Sequence, residues 1–264
     1  MTRVGVRVLP FAASLVLLSG VWEGLARFGL INPIILPAPS AILDSLVFVA
    51  DNFFGERGYS SHVAVTLAEI LLGFGLGSGV AFVLGALVAE FNVVRQVLLP
   101  YMVILNAAPK IAFAPLFIVW LGFGIEPKVM MAAFICAFPV FINTVAGLRA
   151  VEQEQLELMA SIRASKWQTF ARLKLYQALP YVFASLKTAM VLAVIGAVVG
   201  EFSGAQEGLG YLVKLNASRL ATADVYAFII ILSVLGWALF TAVEVLEGRV
   251  VFWASSQRSE LRSL

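Results

Sequence analysis

Long uncharged apolar runs alternate along the chain with short segments that carry most of its charged residues. Each helical residue advances the chain by about 1.5 Å, so about 20 apolar residues are needed to cross the hydrocarbon core of a bilayer. Three runs of this length contain no charged side chain: residues 70–89, 129–148 and 225–243. The pattern therefore predicts three transmembrane helices at these positions.

Three further runs are long enough to span a bilayer but contain charged side chains. They are residues 8–30 with Glu23 and Arg27, residues 97–123 with Lys110, and residues 180–200 with Lys187. With these runs included, the sequence predicts an all-α integral membrane protein with six transmembrane helices.

The first of these runs follows Arg3 and Arg7, an arrangement that resembles a secretory signal peptide in outline. No A-x-A cleavage site follows the run. We therefore expect it to stay attached as the first transmembrane helix, and a cleaved signal peptide is the alternative.

Lysine and arginine residues indicate the orientation, because positively charged loops are retained in the cytoplasm. With the N-terminus inside, the inner segments hold 11 of these residues, whereas the outer segments and span ends hold 5. The inner set is Arg3, Arg7, Arg95, Arg149, Arg163, Lys166, Arg172, Lys174, Arg249, Arg258 and Arg262, and the outer set is Arg27, Arg57, Lys128, Lys214 and Arg219. The bias predicts that both termini are cytoplasmic.

Composition supports a membrane protein. Hydrophobic residues make up 61% of the 264 residues and charged residues 13%, against about 45–50% and about 25% in soluble domains. The net charge of +2 comes from scattered residues, which leaves no electrostatic footprint for nucleic acid. With one cysteine, Cys136, and one histidine, His62, we expect neither an internal disulfide nor a metal site.

Two segments between the spans are expected to be helical. In the outer segment, residues 41–49 predict an interfacial helix with Ser40 as its N-cap. The inner segment, residues 149–179, is long and predicts two short helices at residues 151–162 and 165–175. The first of these is acidic and the second is basic.

This inner segment resembles the cytoplasmic EAA loop of binding-protein-dependent ABC importer permeases. The family pattern is E-A-A, three residues, G-A-S, a basic-aromatic pair and a closing L-P. The corresponding residues here are Glu157-Leu158-Met159, Arg163-Ala164-Ser165, Lys166-Trp167 and Leu179-Pro180. Two of the family's alanines and its glycine are therefore replaced.

The resemblance extends over most of the chain. Leu36-Pro37-Ala38-Pro39-Ser40 is similar to the L-P-x-P-S segment of the nitrate, sulfonate and taurine permease branch. Further segments match that branch in order and spacing: Pro109, Ala114-Pro115-Leu116, Trp120-Leu121-Gly122-Phe123-Gly124, Phe138-Pro139 with Asn143-Thr144, Gly200-Glu201, and Glu207-Gly208-Leu209-Gly210-Tyr211.

The resemblance implies the type I ABC importer permease fold in a bacterial inner membrane, with the loop docking in a cleft of a partner ATPase. It implies ATPase contact for Glu157, Ala160, Ser161, Arg163, Ala164, Ser165 and Lys166. Glycine at the position of Arg163 permits a tight turn, and a left-handed conformation costs arginine about 1 kcal/mol relative to glycine. Either the turn is built differently here, or the ATPase surface accepts the larger side chain.

No G-x-x-x-x-G-K-[ST] sequence occurs in the chain, so we do not expect it to be an enzyme that hydrolyses ATP. ATP and Mg would be bound by two copies of an ABC ATPase subunit, and no cofactor is expected in this chain. The other expected partners are a substrate-binding protein, a second copy of the chain and the lipid bilayer.

Charged residues inside spans are candidates for the solute pathway, because each is costly in hydrocarbon. Lys110 lies between Pro109 and Pro115, where two interruptions of the helix leave backbone free to line a cavity. An ion pair between helices is the alternative for Lys110. The predicted pathway set is Lys110, Asn106, Asn143 and Glu201, the last as a gate or a contact of the binding protein.

Other residues of the spans are expected to serve structure. Lys187 is expected to extend its ammonium towards the interface. The pairs Gly73/Gly77 and Gly75/Gly79 are expected to permit close helix packing, with Cys136 as a small core residue and Glu69 solvated or paired.

The sequence thus predicts the permease subunit of an ATP-driven importer for a small anionic solute of the sulfonate, taurine, nitrate or organic acid class. Its expected parts are residues 1–60, with the first span and outer segment, a core at residues 61–250 with the coupling loop at about 150–179, and a cytoplasmic tail at residues 251–264. An ATP-independent secondary transporter or channel is the alternative. An intramembrane enzyme is excluded because no catalytic cluster of His, Asp, Glu or Ser occurs.

Overall fold

The structure is a computed structural model that describes residues 5–54 and 58–253, without the side chains of residues 5–13 and 15. Several positions used above lie outside the described residues. These are Arg3, Arg57, Arg258 and Arg262, together with most of the predicted tail.

The described residues form helices and no strand. In chain order the helices are α1 (Gly5–Arg27), α2 (Pro39–Asp51), α3 (Tyr59–Glu90), α4 (Asn92–Ala107), α5 (Ala114–Leu121), α6 (Glu126–Arg149), α7 (Gln153–Ser161), α8 (Lys166–Thr169), α9 (Leu175–Gly204), α10 (Leu209–Ser218) and α11 (Thr222–Val250). A 3-10 turn, Lys110–Phe113, precedes α5, and a π-helical turn, Phe170–Lys174, joins α8 to α9. The all-α prediction is confirmed.

Among the described residues, four helical stretches are long and apolar enough to cross a membrane. They are α3, α6, the continuous stretch Lys166–Gly204 and α11. They contain all three uncharged runs and the run at residues 180–200. Helix α1 coincides with the run at residues 8–30, and the segment containing α4 and α5 is a further candidate if it is counted as one span. The total of six spans stays a prediction.

The run at residues 97–123 is not one straight helix. α4 ends at Ala107, and the stretch Lys110–Leu121 leaves it at an angle of 92°. Pro109 lies in the break, as expected for a residue that cannot continue the hydrogen-bond ladder. Pro115, however, lies in the first turn of α5, where its missing N–H is not needed. The predicted second interruption at Pro115 is therefore wrong.

The described part of the chain folds into two compact units, one formed by its residues up to 64 with residues 207–233, and the other by residues 65–206 with residues 234–253. In the first unit, the carboxylate of Glu23 accepts hydrogen bonds from the Ser40 amide at 3.0 Å and the Ser40 hydroxyl at 2.8 Å. The N-cap of α2 is Ala38, so the prediction that Ser40 caps this helix through its own side chain is wrong.

The single histidine also lies in the first unit. Nδ1 of His62 accepts a hydrogen bond of 3.0 Å from the amide of Gly208, the residue that precedes α10. The imidazole stacks on Tyr211 with ring centroids 6.2 Å apart. His62 therefore attaches the beginning of α3 to the beginning of α10.

The core of the second unit is built where α3 and α9 both approach α6 at Ala132. A Cβ added to Gly73 would lie 2.4 Å from the Ala132 Cβ, and one added to Gly196 would lie 2.6 Å from the Ala132 Cα. Only residues without side chains allow this distance between helices. Cys136, one turn further along α6, has no exposed surface, which confirms it as a core residue.

The two predicted glycine pairs of α3 differ in their surroundings. Gly73 and Gly77 face α6, and a Cβ on Gly77 would lie 2.5 Å from the carbonyl oxygen of Ala133. Gly75 and Gly79 have no described atom within 4 Å of an added Cβ. Close packing is confirmed for the first pair, whereas the second pair makes no such contact with the residues that the structure describes.

Candidate functional site

The loop after α6 begins with α7, which ends in a left-handed turn at Arg163. Its φ is +55°, the amide of Arg163 donates to the Ala160 carbonyl at 2.9 Å, and the amide of Ala164 donates to the Met159 carbonyl at 3.0 Å. This pair of bonds is a Schellman motif, which closes the end of a helix with one left-handed residue. The alternative that the turn is built differently is therefore wrong, because arginine adopts the conformation that favours glycine.

The second half of the loop starts with a capping box at Ser165. The Ser165 hydroxyl accepts from the Gln168 amide at 3.2 Å, and the Gln168 side chain accepts from the Ser165 amide at 2.8 Å. α8 then continues through the π-helical turn into α9 without a break. The predicted separate second helix is thus the first part of a 39-residue helical stretch, Lys166–Gly204. Pro180 does not end this helix.

The predicted ATPase-contact residues share one accessible stretch. Glu157, Ala160, Ser161, Arg163, Ser165 and Lys166 are exposed, and Ala164 is half-buried. Sequence reasoning missed the apolar residues beside them: Leu158 is 63% exposed, Ile162 66% and Trp167 72%. Leu158 and Ile162 are four residues apart, a spacing that places both on one face of a helix, so this signal was available from the sequence.

An apolar groove of about 510 Å³ lies beside α8. Its lining includes Phe82, Leu87 and Phe91 from α3 and the residue after it, and Trp167 and Phe170 from the loop. Trp167 stacks on Phe170 with ring centroids 5.7 Å apart. The second half of the loop therefore presents an aromatic surface next to the end of a membrane-spanning helix.

Two polar contacts hold the loop to the spans. Lys174 forms an ion pair with Glu90, the last residue of α3, and the Gln177 amide donates to the Gln155 side-chain oxygen. The first contact joins the π-helical turn to α3, and the second joins α7 to the beginning of α9. The loop is therefore in direct polar contact with α3 and with the beginning of α9.

The structure brings together two of the four predicted pathway residues. Lys110 Nζ donates to Asn106 Oδ1 at 2.8 Å across the break between α4 and α5, and it lies 5.6 Å from the centre of the Phe138 ring. Asn143, further along α6, donates its side-chain amide to the Pro139 carbonyl at 2.8 Å. Lys110 forms no ion pair within the described part of the chain, so none of the described carboxylates supports the ion-pair alternative.

Glu201 occupies a different environment from the one predicted. It is 0% exposed and accepts a hydrogen bond of 2.6 Å from the Thr66 hydroxyl. Without exposed surface it cannot contact a binding protein in this conformation, and that prediction is corrected. Glu69, also 0% exposed, lies beside it in an ion pair with Lys128, which confirms that Glu69 is paired.

Lys187 has a charged partner on another helix. Its ammonium forms a hydrogen-bonded ion pair with Glu247 of α11, and both side chains are less than one-fifth exposed. This partner lies 60 residues away in sequence, and the predicted extension of Lys187 towards the interface did not include it. A distant partner of this kind leaves no local pattern.

Known proteins of similar sequence are membrane components of transport systems. Residues 81–252 match the family model of the binding-protein-dependent transport system inner membrane component. The chain is 34% identical over 90% of its length to the formylaminopyrimidine transport permease protein of Halalkalibacterium halodurans, of which 92% is covered. It is 28% identical over 91% of its length to the taurine transport system permease protein of Escherichia coli, of which 88% is covered.

A third relative and a solved structure complete the comparison. The putative aliphatic sulfonates transport permease protein of Bacillus subtilis is 30% identical, with 89% of this chain and 84% of the relative covered. The inward-facing MetNI methionine ABC transporter superposes with a TM-score of 0.57 at 18% identity, over 72% of this chain and 93% of the matched chain. This likeness shows the type I ABC importer permease fold. The chain belongs to the family of binding-protein-dependent transport system inner membrane components, the membrane-spanning permeases of ABC importers.

Proposed function

We propose that the chain forms the transport path of an ATP-driven importer and that its loop transmits the work of a separate ATPase. The observation that supports this most directly is the surface of the loop, where polar residues lie beside the exposed Leu158, Ile162 and Trp167. Exposed apolar side chains of this size favour a protein partner when they cluster. The absent phosphate-binding motif explains why that partner has to supply ATP and Mg.

The assembly that fits this role is a homodimer with two ATPase subunits and one substrate-binding protein. One chain carries one coupling loop, and a pair of identical subunits related by a two-fold axis supplies a loop for each ATPase. The membrane is a bacterial inner membrane. Both termini and the coupling loop are cytoplasmic in this proposal, in agreement with the bias of lysine and arginine.

The proposed solute is a small organic or inorganic anion. Lys110 supports this class, because a cation at the break between α4 and α5 lowers the electrostatic barrier to an anion. Asn106 holds the ammonium, and Asn143 lies further along the helix that carries Phe138. Relatives named for taurine and aliphatic sulfonates agree with this class, whereas one named for formylaminopyrimidine widens the choice.

Purification of the tagged chain from its native membrane tests the proposal. We expect an ATPase with a phosphate-binding loop to co-purify in a 1:1 ratio, and vesicles containing the complex to take up solute only with ATP. A thermal-shift screen of the binding protein with sulfonates, nitrate, carboxylates and pyrimidines then identifies the solute. Uptake by the chain alone, driven by an ion gradient, would instead support the secondary transporter.

A further inference from the structure

The apolar groove beside α8 has two walls that differ in their distance from the membrane. One wall is α3, between Phe82 and Glu90, and the other is the loop after α6, between Lys166 and Phe170. Its volume of about 510 Å³ lies within the range of about 300–1,000 Å³ that is usual for ligand pockets. Of its lining residues, the predicted ATPase contact includes Lys166 alone, so the rest of the groove has no assigned role.

The α3 wall of the groove lies at the depth of the hydrocarbon. Phe82 and Leu87 belong to the uncharged run at residues 70–89, in a helix that is long and apolar enough to cross a membrane. The helix ends at Glu90, so this wall extends about 12 Å along α3 from Phe82. Val83 is 56% exposed and Leu87 39% exposed. In a bilayer these side chains contact acyl chains or another membrane-spanning helix, and a water-soluble protein does not reach them.

The outer end of the groove is positively charged. Its charged lining residues are Glu90 and Lys166. Lys174 Nζ lies 2.7 Å and 3.0 Å from the two carboxyl oxygens of Glu90, and this ion pair compensates the negative charge. Lys166 is exposed and forms an ion pair with none of the described carboxylates. The groove therefore combines an apolar interior with a cation at its outer end.

Trp167 lies next to this cation. Tryptophan is enriched where a membrane meets water, because its ring is apolar and its N–H is polar. The indole of Trp167 stacks on Phe170, with ring centroids 5.7 Å apart, and 72% of the residue is exposed. An aromatic pair beside a lysine at the end of a membrane-spanning helix is typical of the level at which acyl chains meet lipid headgroups.

We propose that the groove binds an anionic phospholipid, with one acyl chain along α3 between Phe82 and Leu87 and the phosphate beside Lys166. Charge complementarity favours this occupant over a second copy of the chain. A dimer with the groove on its two-fold axis would bring two copies of Lys166 together, whereas an anionic headgroup neutralises the ammonium. One lysine near an anionic lipid surface increases binding about fivefold. The bound lipid contacts α3 and the loop at once.

Quenching of Trp167 fluorescence by brominated lipid tests this site. The full chain, without an ATPase, is reconstituted in phosphatidylcholine vesicles that contain a small, equal fraction of either phosphatidylglycerol or phosphatidylcholine brominated in one acyl chain. The chain has five tryptophans, so the signal of Trp167 is obtained as the difference between wild type and Trp167→Phe. We expect brominated phosphatidylglycerol to quench this signal about fivefold more effectively. An excess of unbrominated phosphatidylglycerol should reverse the quenching.

Variants of the two parts of the groove separate the headgroup from the acyl chain. Lys166→Gln should remove the preference for phosphatidylglycerol, and Lys166→Arg should keep it. Arg95→Gln removes an exposed cation near the start of α4, outside the groove lining, and should keep the wild-type preference. Ala86→Phe places a ring in the groove and should reduce the quenching by phosphatidylglycerol even though Lys166 is present.

Three results would overturn the proposal. The first is equal quenching of Trp167 by the two brominated lipids, and the second is a preference for phosphatidylglycerol that persists in Lys166→Gln. The third is quenching by neither lipid, in which case a disulfide between two copies of Val83→Cys would identify a second copy of the chain as the occupant. Because no ATPase is present in these vesicles, the outcome is independent of the coupling role proposed for the loop.

Discussion

Lys174 Nζ lies 2.7 Å from Oε1 and 3.0 Å from Oε2 of Glu90, and this ion pair joins the loop after α6 to the last residue of α3. The two residues are 84 positions apart, so the contact exists only in the folded chain. Both side chains are partly exposed, and the pair therefore contributes little to overall stability, about 0–1 kcal/mol. We propose instead that the pair transmits motion of the loop to α3.

Breaking this ion pair should therefore impair coupling more than stability. We expect Lys174→Ala to reduce ATP-driven uptake several-fold while the free energy of unfolding changes by no more than about 1 kcal/mol. The exchanged pair Lys174→Glu/Glu90→Lys should restore part of the uptake. Equal uptake by wild type and Lys174→Ala, at matched amounts of assembled complex, would show that this contact does not transmit the motion.

Replacing Arg163 by glycine should relax the turn after α7. Arginine at φ +55° is less favourable than glycine by about 1 kcal/mol, whereas the two backbone hydrogen bonds of the turn do not depend on the side chain. We expect Arg163→Gly to keep coupling and Arg163→Val to weaken it, since a β-branched residue is strained there. ATP hydrolysis and uptake by the reconstituted complex measure both effects, and a fully coupled Arg163→Val variant would contradict the required conformation.

Substitution by alanine should lower the stability of the chain at Gly77 of α3 but not at Gly75. Gly77→Ala places a Cβ 2.5 Å from the Ala133 carbonyl oxygen, and overpacking of this kind costs about 1–3 kcal/mol. Gly75→Ala meets no described atom within 4 Å and should leave the stability of the chain unchanged or slightly higher. SDS unfolding of the two variants provides the comparison, and equal destabilisation by both would be inconsistent with the packing of α3 on α6.

Lys110→Ala should impair uptake of an anionic solute by about tenfold, which corresponds to about 1.4 kcal/mol in the barrier, without a matching loss of assembly. Lys110→Arg keeps the positive charge and should retain part of the activity. Arg95→Ala removes an exposed cation of α4 and serves as the control. Uptake into vesicles at equal complex content measures the effect. Wild-type uptake by Lys110→Ala would remove Lys110 from the pathway.

Features that depend on neighbouring residues could be predicted from the sequence, whereas contacts between residues distant in sequence could not. Uncharged runs identified the main spans because span length is a local property, and the loop pattern identified Glu157 to Lys166. The same local pattern could not distinguish Gly77 from Gly75, because only the position of α6 makes the first one a contact residue.

Partners remote in sequence determine environments that no local pattern could predict. The environment of Lys187 depends on Glu247, and that of Glu201 depends on Thr66, 135 residues away. Proline produced an error of a different kind. Pro109 lies in the break after α4, where it cannot continue the helix. Pro115 lies in the first turn of α5, where its missing N–H is not needed.

The proposal that the loop couples transport to a partner ATPase is tested by comparing Glu157→Lys with Glu154→Lys. Both glutamates are exposed on α7, but only Glu157 belongs to the proposed contact surface. ATP hydrolysis and solute uptake are measured together in proteoliposomes containing the complete importer. We predict that Glu157→Lys weakens ATPase association by about 1.5–3 kcal/mol or uncouples hydrolysis from uptake, while Glu154→Lys behaves as wild type. Unchanged association, hydrolysis and uptake in Glu157→Lys would contradict the account.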